Sequence, residues 1–173
     1  MKIKKTVLVL LLLSSHFFPF LPAVDAVPHA YFSPKGGCTQ AIVDAIDQAQ
    51  TSILVQAYSF TSQPIAEALV NAHKRGVRVK ILLDKSQKHA KGSKLNLLIE
   101  TGVPVSIDSK HSIAHNKVMI IDEVIVITGS FNFTNTAEDK NAENLLVVQD
   151  KILAKKYRDN WNKHQRHSER HQV

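Results

Sequence analysis

Apolar residues recur along the chain at two alternating periods. In residues 39–50, Ile42, Ile46 and Ala49 follow the spacing of one helix face, and Thr39 is placed to cap it. Residues 53–60 are apolar and β-favouring without that period, as in a central strand. Pro64 then opens a second helix, Lys74 and Arg75 close it, and Gly76 stops it. The same rhythm continues with a strand over 77–83 ending at Asp84, a helix over 93–100 stopped at Gly102, and a strand over 103–107. Two apolar runs at 118–121 and 124–127, joined by Asp122-Glu123, read as strands buried on both faces. A strand over 145–148 and a helix from Lys151 carrying Tyr157 and Trp161 complete the order. Alternation of this kind predicts an α/β fold, a mixed β-sheet flanked by helices on both faces. Neither an internal repeat nor a second domain is visible.

The first 26 residues stand outside that rhythm. Lys2, Lys4 and Lys5 precede the apolar run 7–13, and small residues close the stretch at Val24-Asp25-Ala26. This is the pattern of a secretory signal, with a periplasmic or secreted location expected and residues 27–173 as a single domain. The run is short for a membrane span, and Ser14, Ser15, His16 and Pro19 interrupt it. Removal of residues 1–26 takes three of 22 basic and one of 15 acidic residues and leaves a formal net charge of +5. Such a surface suits a polyanionic partner: nucleic acid, anionic lipid or envelope polymer. Cys38 is the only cysteine, which excludes an intrachain disulfide, and it is expected to pack as a small hydrophobe.

Five polar positions are set into the double apolar run: His115, Lys117 and Asp122, then Ser130 and Asn132 behind Gly129. His115 and Lys117 are two residues apart, so on a strand they share a face. An imidazole and an ammonium at one spot suit a negatively charged group, phosphate above all. Asp122 follows Lys117 at an odd offset and is expected to point elsewhere, supporting the turn or a neighbouring strand.

The pattern H-x-K-x4-D-x6-G-S-x-N resembles the phospholipase D superfamily, more narrowly its small secreted bacterial nucleases with one motif copy per chain. The resemblance runs from about Tyr31 to Trp161 and includes 57–61 and 141–144. It implies covalent catalysis, in which one motif histidine attacks phosphorus and a second protonates the leaving group. Here His115 would be nucleophile or general acid, Lys117 would stabilise charge, and Ser130 and Asn132 would donate to phosphate oxygens. Glu143, 28 residues after His115, stands where those relatives carry an acid that orients the histidine. One motif copy per chain implies a homodimer with a composite site.

No metal or other cofactor is expected. His73, His89 and His111 read as surface or rim residues, and the His/Arg/Lys-rich end, 163–171, as a solvated tail. The basic stretch 85–92 reads as a mobile loop, either a plain linker or a phosphate-contacting rim. The favoured function is a metal-independent endonuclease acting on DNA, with RNA as a second candidate substrate, and with low sequence specificity. The alternatives are a phosphodiesterase acting on phospholipid and a non-catalytic polyanion-binding protein.

Overall fold

The structure, a computed structural model, describes residues 27–171; the expected signal segment, 1–26, lies outside them. Eight strands form one sheet, ordered β1-β7-β6-β5-β2-β3-β4-β8. They are β1 (His29–Phe32), β2 (Ser52–Ala57), β3 (Arg78–Asp84), β4 (Val105–Asp108), β5 (Lys117–Ile121), β6 (Ile125–Gly129), β7 (Asn144–Gln149) and β8 (Glu169–His171). β2, β3 and β4 run parallel and every other pairing is antiparallel, so the sheet is mixed. Helices α1 (Cys38–Gln48), α2 (Gln63–Lys74), α3 (Leu95–Glu100), α4 (Asn135–Asp139) and α5 (Lys151–Gln165) complete the order.

Strand alternation divides the core in two. Val55, Ile81, Ile107, Met119, Ile121 and Ile127 pack with Ile42, Ile46, Ile65 and Leu69 of α1 and α2. Their neighbours Leu82, Val118, Ile120 and Val126 face the other way, against Ala154 and Trp161 of α5. Helices therefore cover both faces, and β5, buried at every position, carries apolar residues on each. The Trp161 indole is buried and donates to the Val55 carbonyl at 2.9 Å, so α5 is fixed to the sheet by a directed bond as well as by packing.

Two local expectations need correction. Thr39 does not cap α1; it lies inside the helix, behind Gly37 in the left-handed region. The helix start is instead satisfied by Glu138 of α4, whose carboxylate accepts from Gly37 N at 3.2 Å and Thr39 N at 2.7 Å. The stretch 85–92 is not a free loop. Lys85–Lys88 forms a short 3-10 turn, and buried Gln87 accepts from Phe60 N at 3.0 Å. Lys88, His89 and Lys91 remain exposed.

The β5–β6 turn shows why Asp122 stands at an odd offset from Lys117. Asp122 and Glu123 both take positive φ, 50° and 58°, as a tight hairpin turn with the right twist requires. Neither is glycine, so the conformation needs support. The Asp122 carboxylate supplies it, accepting from Gln50 N, Thr51 N, Thr51 Oγ1 and Ser52 N at 2.7–2.9 Å.

Candidate active site

The parallel strands β2, β3 and β4 end together, and β5 starts beside them in the opposite direction. In open α/β sheets this end is where ligands bind. Ala57 of β2 pairs with Lys117 of β5, and the ladder continues outward through Tyr58 N donating to Asn116 O at 2.9 Å. His115 lies just ahead of β5, exposed, with its ring edge-on to Tyr58 at a centroid distance of 4.6 Å. Lys117 is only 7 % exposed, and its Nζ sits 5.1 Å from the centroid of the same tyrosine ring. Nζ also donates to the His115 carbonyl at 3.0 Å. Tyr58 is thus a wall shared by imidazole and ammonium.

Burial lowers the Lys117 pKa below the ordinary lysine value, and the negative charge of Glu143 works against that shift. An ammonium with few water contacts gains most when an anion approaches it.

The second half of the motif crosses from β6 to β7. Gly129 passes so close to Asn144 that a Cβ would stand 2.3 Å from the Asn144 carbonyl oxygen, so no side chain fits. That carbonyl accepts from Phe131 N at 3.1 Å. Ser130 Oγ accepts from Asn144 N at 3.0 Å and Nδ2 at 3.3 Å, which leaves its own hydrogen free to donate outward. Asn132 is held between fully buried Phe131 and Phe133, and its Oδ1 is a buried atom without a hydrogen-bond partner.

Glu143 lies beside this group, held by its backbone: Ser33 N donates to Glu143 O at 3.0 Å, and Glu143 N donates to Ser33 Oγ at 3.1 Å. Its carboxylate accepts from Asn141 Nδ2 at 3.0 Å and makes no hydrogen bond to His115 within the chain. The expected orienting contact is therefore not formed in a single subunit. Asp122 is at the far end of β5, roughly 16 Å from Lys117 by strand rise, and belongs to the turn.

Asp84 was not foreseen as part of this region. It ends β3, is 2 % exposed, and accepts from Ala114 N at 2.7 Å and Ser86 N at 2.9 Å. Burial would raise its pKa, but hydrogen bonds from Ser86 and Ala114 outweigh that and hold it below the ordinary carboxylate value. An ionised Asp84 thus fixes the backbone one residue before His115. The available signal was an acid closing an apolar strand, just before a polar turn. Asn144, which positions Ser130, lay within the 141–144 segment but carried no assignment.

Two more expectations resolve at this end of the sheet. Cys38 is fully buried; burial, then the charge of Glu138, pushes its thiol up to about 11, so it stays protonated and unreactive. His111 is not a free rim residue, and the chain end is not a free tail: His111, His164 and His167 converge on Asp108.

The family model described as "Cardiolipin synthase, PLD-like domain" matches residues 42–165. A Rickettsia felis protein named "Phospholipase D" is 50 % identical over 130 residues, covering 75 % of this chain and 65 % of that one. A "Mitochondrial cardiolipin hydrolase" of Xenopus tropicalis is 33 % identical over 114 residues, 66 % of this chain and 54 % of that one. The chain therefore spans under two thirds of the length of these relatives. Among solved structures, Nuc from Salmonella typhimurium, a phospholipase D family member, superposes with a TM-score of 0.81 at 39 % identity, covering 85 % of this chain and 99 % of that one. The chain belongs to the phospholipase D-like family.

Proposed function

We propose that this protein is a phosphodiesterase that cleaves nucleic acid, DNA first, with no metal in the catalytic step. One observation carries the reading. Exposed His115 and buried Lys117 flank one tyrosine ring at the ligand end of the sheet, a nucleophile beside a fixed cation. In the reaction a neutral His115 attacks phosphorus, forming a P–N bond as the P–O bond to the leaving group breaks. The leaving oxygen takes a proton from a second, protonated histidine. Water then attacks phosphorus, giving its proton to that second histidine, and the P–N bond returns its electrons to His115. Lys117, Ser130 and Asn132 hold the phosphoryl oxygens throughout.

The second histidine is the His115 of another copy. One motif per chain demands it, and exposed Ile113 and Phe32 flank the site as apolar contacts for a self-complementary interface. Glu143, unattached to its own His115, is free to orient the partner's. The exposed cations Lys88, Lys91 and Lys110 favour a polyanion over a bilayer. Lipid hydrolysis is the second reading, favoured by the names of the curated relatives. Export before action follows from the expected signal segment.

The test is digestion of plasmid DNA in excess EDTA by wild type and His115→Ala, with cardiolipin-containing liposomes in parallel. Cutting by wild type, with activity in the variant lower by at least about a thousandfold, is expected. Lipid hydrolysis without DNA cutting would transfer the assignment to the second reading. Substantial activity in the variant would refute the mechanism.

A further inference from the structure

Asp108 ends β4, and its side chain is wholly buried, with no arginine or lysine partner among the described residues. Its Oδ2 lies 2.9 Å from His111 Nδ1, 2.9 Å from His164 Nδ1 and 3.4 Å from His167 Nε2. The other oxygen, Oδ1, lies 3.1 Å from His111 Nδ1 and accepts from Lys110 N at 3.2 Å and His111 N at 3.4 Å. The three rings pack at centroid distances of 4.8, 5.1 and 5.5 Å. A carboxylate oxygen has two lone pairs for hydrogen bonds. Three ring nitrogens directed at one such oxygen exceed what hydrogen bonding needs.

We propose that Asp108, His111, His164 and His167 form a site for a zinc-class divalent metal ion that clips the C-terminal segment to the sheet, apart from the catalytic centre. One donor atom from each residue lies within 4.8 Å of all the others. Tetrahedral zinc, with bonds of about 2.0–2.1 Å, sets its donors roughly 3.3 Å apart. The Asp108-to-histidine distances already fall near that value. The widest separation must close by about 1.5 Å, within reach of χ rotations in side chains that are 15–42 % exposed. Three imidazoles and one carboxylate suit Zn²⁺ or its late first-row neighbours and not the oxygen-seeking Mg²⁺ or Ca²⁺.

The ligands come as two pairs at the same spacing, D-x2-H at 108–111 and H-x2-H at 164–167, 56 residues apart. The metal would join β4 and the loop leading to His115 with the last turn of α5 and the residues beyond it. Those residues enter β8, a three-residue strand at the sheet edge that pairs with β4. So short an edge strand has little hold of its own, and a metal closing this long loop would anchor it.

The experiment uses the full chain without a polyhistidine tag, stripped with EDTA and dialysed, then titrated with Zn²⁺ against a chromophoric competitor. One ion per chain is expected, with Kd below about 1 µM. Tm should rise by roughly 5 °C or more at a hundredfold excess over Kd, and trypsin should cut more slowly at Arg166 and Arg170. Mg²⁺ and Ca²⁺ should do neither. The double variant His164→Gln/His167→Gln and, separately, His111→Gln should each lose the bound ion and the Tm rise. The His111 variant separates a four-ligand site from chelation by the chain end alone. Absence of a tight ion in the wild type, or equal binding by either variant, would overturn the proposal and leave a hydrogen-bonded hub. The readouts are binding, melting and proteolysis, so the outcome is independent of the nuclease reading.

Discussion

Burial and charge pull against each other at Lys117. Its pKa is lowered by loss of water, yet in the proposed reaction it is the cation that meets the phosphoryl group. A buried cation costs stability when its site is empty and becomes useful when an anion enters. Lys117→Met should therefore keep or slightly raise the melting temperature while kcat falls by about 10²–10³. Steady-state kinetics beside a melt of the same sample would check this. Equal loss of stability and activity would assign Lys117 to packing. The pairing of His115 with Lys117 was legible from two-residue spacing, because it depends only on neighbours along one strand. Asp84 was not, because it meets Ala114 only after β3 and β5 are placed two strands apart. Asp108 was hidden for the same reason: its histidines sit three and more than fifty residues away, and only the path of α5 brings the distant ones back.

Among the elements, the β5–β6 hairpin concentrates most on one side chain. Two non-glycine residues at positive φ persist there because Asp122 ties the turn to the start of β2. Burial raises the Asp122 pKa, but the hydrogen bonds from Ser52, Gln50 and Thr51 more than offset it, so the folded value lies below the ordinary one. A carboxylate with a depressed folded pKa adds stability that is complete above the unfolded value of about 3.9 and fades as pH falls through the folded value. Asp122→Ala should cost about 2–3 kcal/mol at pH 7. The gap between variant and wild type should hold down to about pH 5 and narrow below about pH 4. Denaturant melts across that range would reveal it, and a gap constant to pH 2 would point to backbone strain alone. The types of the long apolar elements were readable from periodicity, and so were the Pro64 start and Gly76 stop of α2, whereas α4, β8 and the α1 cap were not. Thr39 has the right chemistry for the α1 cap, but Glu138, about a hundred residues downstream, fills the position with a full charge at the helix N-terminus.

On the scale of the whole molecule, six of the eight strands were readable from the sequence, but their neighbours were not. The order β1-β7-β6-β5-β2-β3-β4-β8 places at the edges the two strands that the apolar pattern did not show, β1 and β8, of four and three residues. It also brings the ends of β2, β3 and β4 beside the start of β5, so that the motif faces solvent at one end of the sheet. A site at the sheet end can meet its own copy across a two-fold axis, which a site closed within the fold could not. If turnover needs two His115 side chains, one from each subunit, activity must depend on how subunits pair. Co-expression of wild type and His115→Ala at equal levels gives random pairing, and about one quarter of dimers then carry both histidines. Specific activity of the mixture should fall to about a quarter of wild type. If each chain acts alone it should fall only to about a half. Light scattering on the same samples would establish that dimers are present, and a value near one half would sink the composite site even if the protein is dimeric.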